Sequence, residues 1–148
     1  MNYLIDTNVL LRSAQPDDAL YSVATDVVEK LLNDGHALYI TPQNVAEFWN
    51  SATRPKINNG LGMTPQQAED EVRRLETILL LAPDDPNIYI EWRRIVLDKN
   101  VCGVLVHDAR LVAAMKVHGI THVLTFNARD FARFDDIVVV VPSSIQIS

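Results

Sequence analysis

The residues with the clearest chemical potential are carboxylates and small polar groups placed where apolar runs end. Asp6-Thr7-Asn8 follows directly on Tyr3-Leu4-Ile5. A second apolar stretch, residues 122–126, carries Thr125 and runs into Asn127, with Asp130 one turn further on. In open α/β sheets, ligands bind in the crevice beyond the carboxyl ends of the strands. Both polar clusters would line such a crevice. Taken alone, Asp6 is equally well explained as a turn or cap residue. Asp108 is more informative. On a helix over 108–118 it shares a face with Leu111, Val112 and Met115, and an unpaired charge on an apolar face is costly. The competing explanation is an N-cap, which the local pattern favours. Glu47 is the weakest of the set. Val45, Phe48, Trp49 and Ala52 form the apolar stripe of its helix, and Glu47 projects away from that stripe. This spacing reads as a solvated glutamate, unless the outer face borders the crevice.

Several carboxylates converging on one crevice repel unless a cation neutralises them. Oxygen ligands with neutral Thr and Asn helpers suit Mg²⁺ or Mn²⁺ rather than zinc. Such an ion contacts substrate phosphate and activates water, which points to metal-assisted phosphoester chemistry. A phosphatase with an aspartate nucleophile would need a second Asp two residues after the first, and position 8 is Asn.

The elements that must position these groups alternate in type. Residues 3–5, 37–41, 122–126 and 137–141 read as strands. Helices are expected over 19–33, 42–53, 65–79, 88–98 and 108–118. Thr64-Pro65 supplies an N-cap and first-turn proline, and Gly35 and Gly119 supply stops. Residues 56–62, with two Asn and two Gly, form the clearest loop. Strands separated by helices imply parallel pairing with helical crossovers. The expected fold class is α/β, a three-layer α/β/α sandwich with a central parallel sheet.

The chain has 148 residues, which fits one domain over residues 1–148. Net charge is −6. Bulk acidity argues against a general nucleic-acid-coating protein but not against an enzyme that holds a cation and touches nucleic acid locally. The longest apolar run, residues 101–106, is far short of the roughly 20 residues a spanning helix needs, so no membrane association is expected. Asp6 interrupts the first apolar stretch, no basic segment precedes it, and a cytoplasmic location is expected. Cys102 stands alone, excluding an internal disulfide, and reads as a small buried hydrophobe.

Four segments, in order, resemble the motifs of PIN-domain ribonucleases, and most of all the VapC-like toxins of type II toxin–antitoxin pairs. They are residues 3–11 (YLIDTNVLL), 44–50 (NVAEFWN), 107–114 (HDARLVAA) and 124–131 (LTFNARDF). The resemblance runs from Met1 to about Pro142. It implies a PIN-like fold and Mg²⁺- or Mn²⁺-dependent cleavage of RNA. Carried over position by position, Asp6, Glu47 and Asp108 match acidic metal-holding residues, overriding the solvent reading of Glu47. Thr125 matches a small hydroxyl residue near the metal, and Thr7 and Asn8 support the site. At the fourth position Asn127 replaces the more usual Asp, and Asp130 is the candidate to supply the missing charge. Arg12, Arg110, Arg129 and Arg133 flank these motifs, and one or two are expected to contact RNA phosphate. The resemblance further implies a small antitoxin partner and a homodimer. A catalytically weak PIN-like module with a binding or assembly role is the alternative, favoured by Asn127.

Overall fold

The computed structural model describes residues 1–147. Its elements are β1 (Asn2–Ile5), α1 (Thr7–Ser13), α2 (Tyr21–Asn33), β2 (Ala37–Ile40), α3 (Pro42–Thr53), α4 (Pro65–Ile78), β3 (Leu80–Leu81), α5 (Pro86–Asp98), α6 (Leu105–His118), β4 (His122–Leu124) and β5 (Val138–Val140). Single 3₁₀ turns lie at Lys56–Asn58, Ala128–Phe131 and Pro142–Ser144. The strands form one sheet in the order β3-β2-β1-β4-β5, and every pairing is parallel.

Alternation along β1 divides the core. Tyr3 and Ile5 point to one face and pack with buried residues of α1 to α4, including Val9, Leu31, Phe48 and Leu75. Leu4 points to the other face, against Ile88 and Ile95 of α5 and the run Leu111–Met115 of α6. Helices therefore cover both faces, giving the expected α/β/α sandwich. Phe48 is completely buried and pins α3 to the sheet. Removing such a ring costs roughly 3–5 kcal/mol, so the backbone that carries Glu47 is firmly held.

Three elements depart from the sequence reading. The polar triplet after β1 opens α1, a seven-residue helix absent from the expected set, with Asp6 as its N-cap. A two-residue strand, β3, follows α4 and pairs with β2. Helix α6 begins at Leu105 rather than Asp108, and its N-cap, Val104, makes no side-chain bond. Asp108 is thus a first-turn residue and not the cap that the local pattern favours. Cys102 is exposed, contrary to its reading as a buried hydrophobe. Among the described residues, no helix is long and apolar enough to cross a membrane.

Candidate active site

β1 lies between β2 on one side and β4 on the other, so the winding order reverses beside it. A crevice at such a switch point opens beyond the strand carboxyl ends. Ile5 and Leu124 are register partners. The next residues, Asp6 and Thr125, are therefore neighbours, and the Asp6 N–H donates to the Leu124 carbonyl at 3.0 Å. Both side chains are buried. Asp6 Oδ2 accepts from Thr125 Oγ1 (2.8 Å) and Asn8 Nδ2 (3.3 Å), while Oδ1 accepts from the Thr7 N–H (2.9 Å). Asn8 also donates to Thr125 Oγ1 and accepts from the Phe126 N–H, which ties α1 to the end of β4.

Glu47 enters from α3. Its Oε1 accepts from Thr7 Oγ1 (2.9 Å) and its Oε2 from Gln43 Nε2 (3.2 Å). Thr41 caps α3 in a reciprocal capping box with Asn44. Asn44, wholly buried, donates onward to Thr7 Oγ1 at 3.2 Å. The hydroxyl of Thr7 therefore accepts a hydrogen bond from Asn44 and donates its own to Glu47. Gln43 also donates to the carbonyl of His107, the residue before Asp108, at 2.8 Å. Asp130 stands on the far side, where its Oδ2 accepts from Asn127 Nδ2 (2.8 Å) and the Asn127 N–H donates to Thr125 Oγ1 (3.0 Å). A continuous polar chain thus links Glu47, Asp6 and Asp130. The Asp108 carboxylate, by contrast, accepts no hydrogen bond among the described residues, although its backbone lies within α6.

The electrostatics record the crowding. Burial pushes the Asp6 carboxyl from 3.8 to about 6; the Thr125 and Thr7 bonds offset part of this, and the charges of Glu47 and Asp130 add to it. Asp108 rises from 3.8 to about 7, through burial first and then the charges of Asp130, Asp6 and Glu47. Among the described residues, no three acidic, His or Cys side chains close on one point as a ready metal cage. The donor set nevertheless fits a hard divalent ion. It consists of carboxylate oxygens under mutual repulsion, with hydroxyl and amide groups that hold two of them in place.

The sequence-derived candidates Asp6, Thr7, Asn8, Glu47, Asp108, Thr125, Asn127 and Asp130 therefore lie in one neighbourhood. Glu47 is neither on the apolar stripe nor fully solvated; its half-buried flank meets α1. The arginines are less uniform. Arg12 pairs with Asp18 at 2.6 Å. Arg110 donates to Gln43 Oε1 (3.1 Å) and pairs with Asp84 (3.4 Å). Arg129 is exposed and has no ion-pair partner among the described residues. Sequence reasoning assigned no role to Gln43 and Asn44. The Thr41-x-x-Asn44 spacing at a helix start was the available signal for Asn44; nothing local marks Gln43.

A three-layer parallel-sheet domain with carboxylates gathered at the β1/β4 switch point is the class these features define. The family model for the PIN domain matches residues 3–137, and the chain belongs to that family. No curated protein sequence matches it. Its fold is similar to that of VapBC2 from Rickettsia felis bound to a promoter DNA fragment (TM-score 0.71, 14% identity, 95% of this chain and 98% of the other). It is also similar to VapC20 from Mycobacterium tuberculosis, described as a sarcin–ricin-loop-cleaving toxin (TM-score 0.64, 16% identity, 89% and 95%). A toxin–antitoxin complex from Klebsiella pneumoniae matches with a TM-score of 0.61, 20% identity, and 98% and 99% coverage.

Proposed function

We propose that this PIN-domain protein is a divalent-cation-dependent endoribonuclease and the toxin of a toxin–antitoxin pair. The observation that carries the reading is the crowding of Asp6 and Asp108 with Glu47 and Asp130 at the switch point, where repulsion and burial leave carboxylates short of a counter-charge. The toxin assignment is supported by the folds of the VapBC and toxin–antitoxin proteins. RNA as substrate is supported by the description of VapC20.

Asp6, Glu47 and Asp108 would hold Mg²⁺ or Mn²⁺. When bound, the ion supplies counter-charge and Lewis acidity toward a phosphate oxygen and water. The chain's own residues set the geometry. Thr125, Asn8 and the Thr7 N–H fix the rotamer of Asp6. Thr7 and Gln43 fix Glu47. The Asp108 carboxylate, with no side-chain hydrogen bond to break among the described residues, would be free to turn toward the ion. Asp130 supplies the fourth negative charge and Asn127 orients it, so the substitution at position 127 moves the acid three residues along the chain rather than deleting it. An antitoxin with a basic segment would be drawn to this acidic crevice and compete for it, and the toxin would associate as a homodimer.

The test is cleavage of a single-stranded RNA by purified protein with Mn²⁺, with excess chelator, and with Asp6→Asn. Cleavage lost in both controls supports the reading. A well-folded wild type that cleaves nothing would favour the alternative, a binding or assembly module, the reading that Asn127 in place of the more usual aspartate supports.

A further inference from the structure

Arg54 ends α3. Its N–H still donates to the Asn50 carbonyl at 3.2 Å, but its ψ of 141° turns the chain outward. The segment that follows, legible in sequence only as a loop, folds back over it. Gly62 N–H donates to the Arg54 carbonyl (2.9 Å), Leu61 N–H to Ser51 (3.1 Å) and Met63 N–H to Ala52 (2.9 Å). Gly60 approaches so closely that a Cβ there would lie 1.9 Å from the Arg54 carbonyl oxygen. Only glycine permits this closure. The result is a rigid lip that holds the Arg54 side chain half-buried.

The guanidinium is poorly satisfied there. Its Nε is buried without a partner among the described residues. One terminal nitrogen reaches the Asn59 carbonyl at a long 3.4 Å. No carboxylate among the described residues lies within ion-pair distance of it. A buried donor left unpaired is unfavourable, and no acceptor among the described residues meets this one. Arg54 lines a polar cavity of about 410 Å³ together with Asn8, Arg12, Gln15, Asn59 and Leu61. Arg12 uses one nitrogen for Asp18, and its side chain is 43% exposed, leaving its other donors available. Asn8 belongs to both places: it lines this cavity and donates to Asp6 Oδ2. The cavity therefore adjoins the acidic crevice through a single residue.

We propose that this cavity is a phosphate subsite, taking a backbone phosphate of the RNA strand that neighbours the one at the carboxylates. Arg54 is its main contact and Arg12 stands beside it. The assignment rests on the nuclease reading above and extends it to how the strand is held. Arginine is suited to the task because its planar fork meets phosphate oxygens in pairs. In a chain of net charge −6, a local pair of guanidinium groups also sets where a polyanion can settle and so fixes the strand's path past Asp6.

The experiment is fluorescence anisotropy of a labelled single-stranded oligoribonucleotide in chelator, so that no cleavage occurs, over a salt series. The proteins are wild type, Arg54→Gln, Asn59→Asp and Asn33→Asp. Arg54→Gln should weaken binding about 10-fold and make the slope of log affinity against log salt shallower by about 0.7, the value for one phosphate contact on a single strand. Asn59→Asp keeps Arg54 in place but sets a competing carboxylate beside it, and should weaken binding severalfold even if Arg54→Gln fails to fold. Asn33→Asp adds the same charge at the end of α2, away from the cavity, and should bind as wild type does. Equal affinity and slope in Arg54→Gln, Asn59→Asp and wild type would overturn the subsite, leave the nuclease reading standing, and turn attention to an acidic protein segment as occupant. A wild type that does not bind also overturns it, and the cleavage assay then judges the nuclease reading separately.

Discussion

Replacing Asp108 with asparagine removes one negative charge from a crowded, half-buried position while keeping the side chain's shape. In the metal-free protein this should be stabilising. The folded-state carboxyl titrates at about 7 against an ordinary 3.8, a difference worth about 4 kcal/mol at full effect. The side chain is only half-buried, so solvent screening reduces the expected gain to about 1–2 kcal/mol. The sign follows from the raised value. The fold binds the Asp108 proton more tightly than the unfolded chain does, so the group's contribution is most favourable below about pH 4. It declines as the pH rises and reaches its floor above about pH 7. The advantage of Asp108→Asn should therefore be largest near pH 8 and nearly gone near pH 4. His122, whose pKa burial lowers, acts in the opposite direction but equally in both proteins, so it cancels in the difference. Urea unfolding of both proteins in chelator at several pH values measures the effect. Saturating Mn²⁺ should reverse the order, because the ion stabilises the protein that retains the carboxylate. An Asp108→Asn protein no more stable than wild type at pH 8, or a gain independent of pH, would refute the crowded-carboxylate picture.

The other predictions follow from single contacts. Asp130→Asn should reduce RNA cleavage far more than Asn127→Ala, because Asp130 carries the charge and Asn127 orients it; rates in the opposite order would assign the role to Asn127. Asn44→Ala should cost about 2–3 kcal/mol in thermal or urea unfolding, since its wholly buried amide serves Thr41 and Thr7; an unchanged midpoint would remove it from the scaffold of Glu47. Inhibition by a co-expressed antitoxin should weaken as salt rises toward 0.5 M, because exposed charge pairs are screened within about 10 Å at 0.1 M; inhibition indifferent to salt would exclude a basic competing tail.

The layers and the parallel sheet were legible because β-branched and apolar runs alternate with capped helices, most plainly at Thr64-Pro65 and Gly119. Asp6 and Thr125 were legible as polar residues ending apolar strands. Helix α1 was not, since only Val9 and Leu10 in it are buried and its Asp-Thr-Asn start is equally good turn chemistry. Periodicity could not place Glu47. It locates the face of α3 that meets the sheet, whereas Glu47 is held by Thr7 on a flank that exists only because α1 packs there. The start of α6 was misread for a related reason. Residues 105–107 carry no capping signal, and the first residue with one, Asp108, drew the boundary to itself. Arg54 and its lip were invisible because a close approach at Gly60 depends on backbone contacts no local pattern encodes.

The most direct measurement is cleavage of RNA in ¹⁸O-labelled water with Mn²⁺, with the product ends read by mass spectrometry, for wild type and Asp108→Asn. Hydrolysis at the carboxylate crevice predicts ¹⁸O in the terminal phosphate formed by wild type and none above background from the variant, although the variant is at least as stable without metal. Cleavage that carries no label, or that survives both Asp108→Asn and chelation, would contradict the assignment of this crevice as a metal-dependent nuclease site.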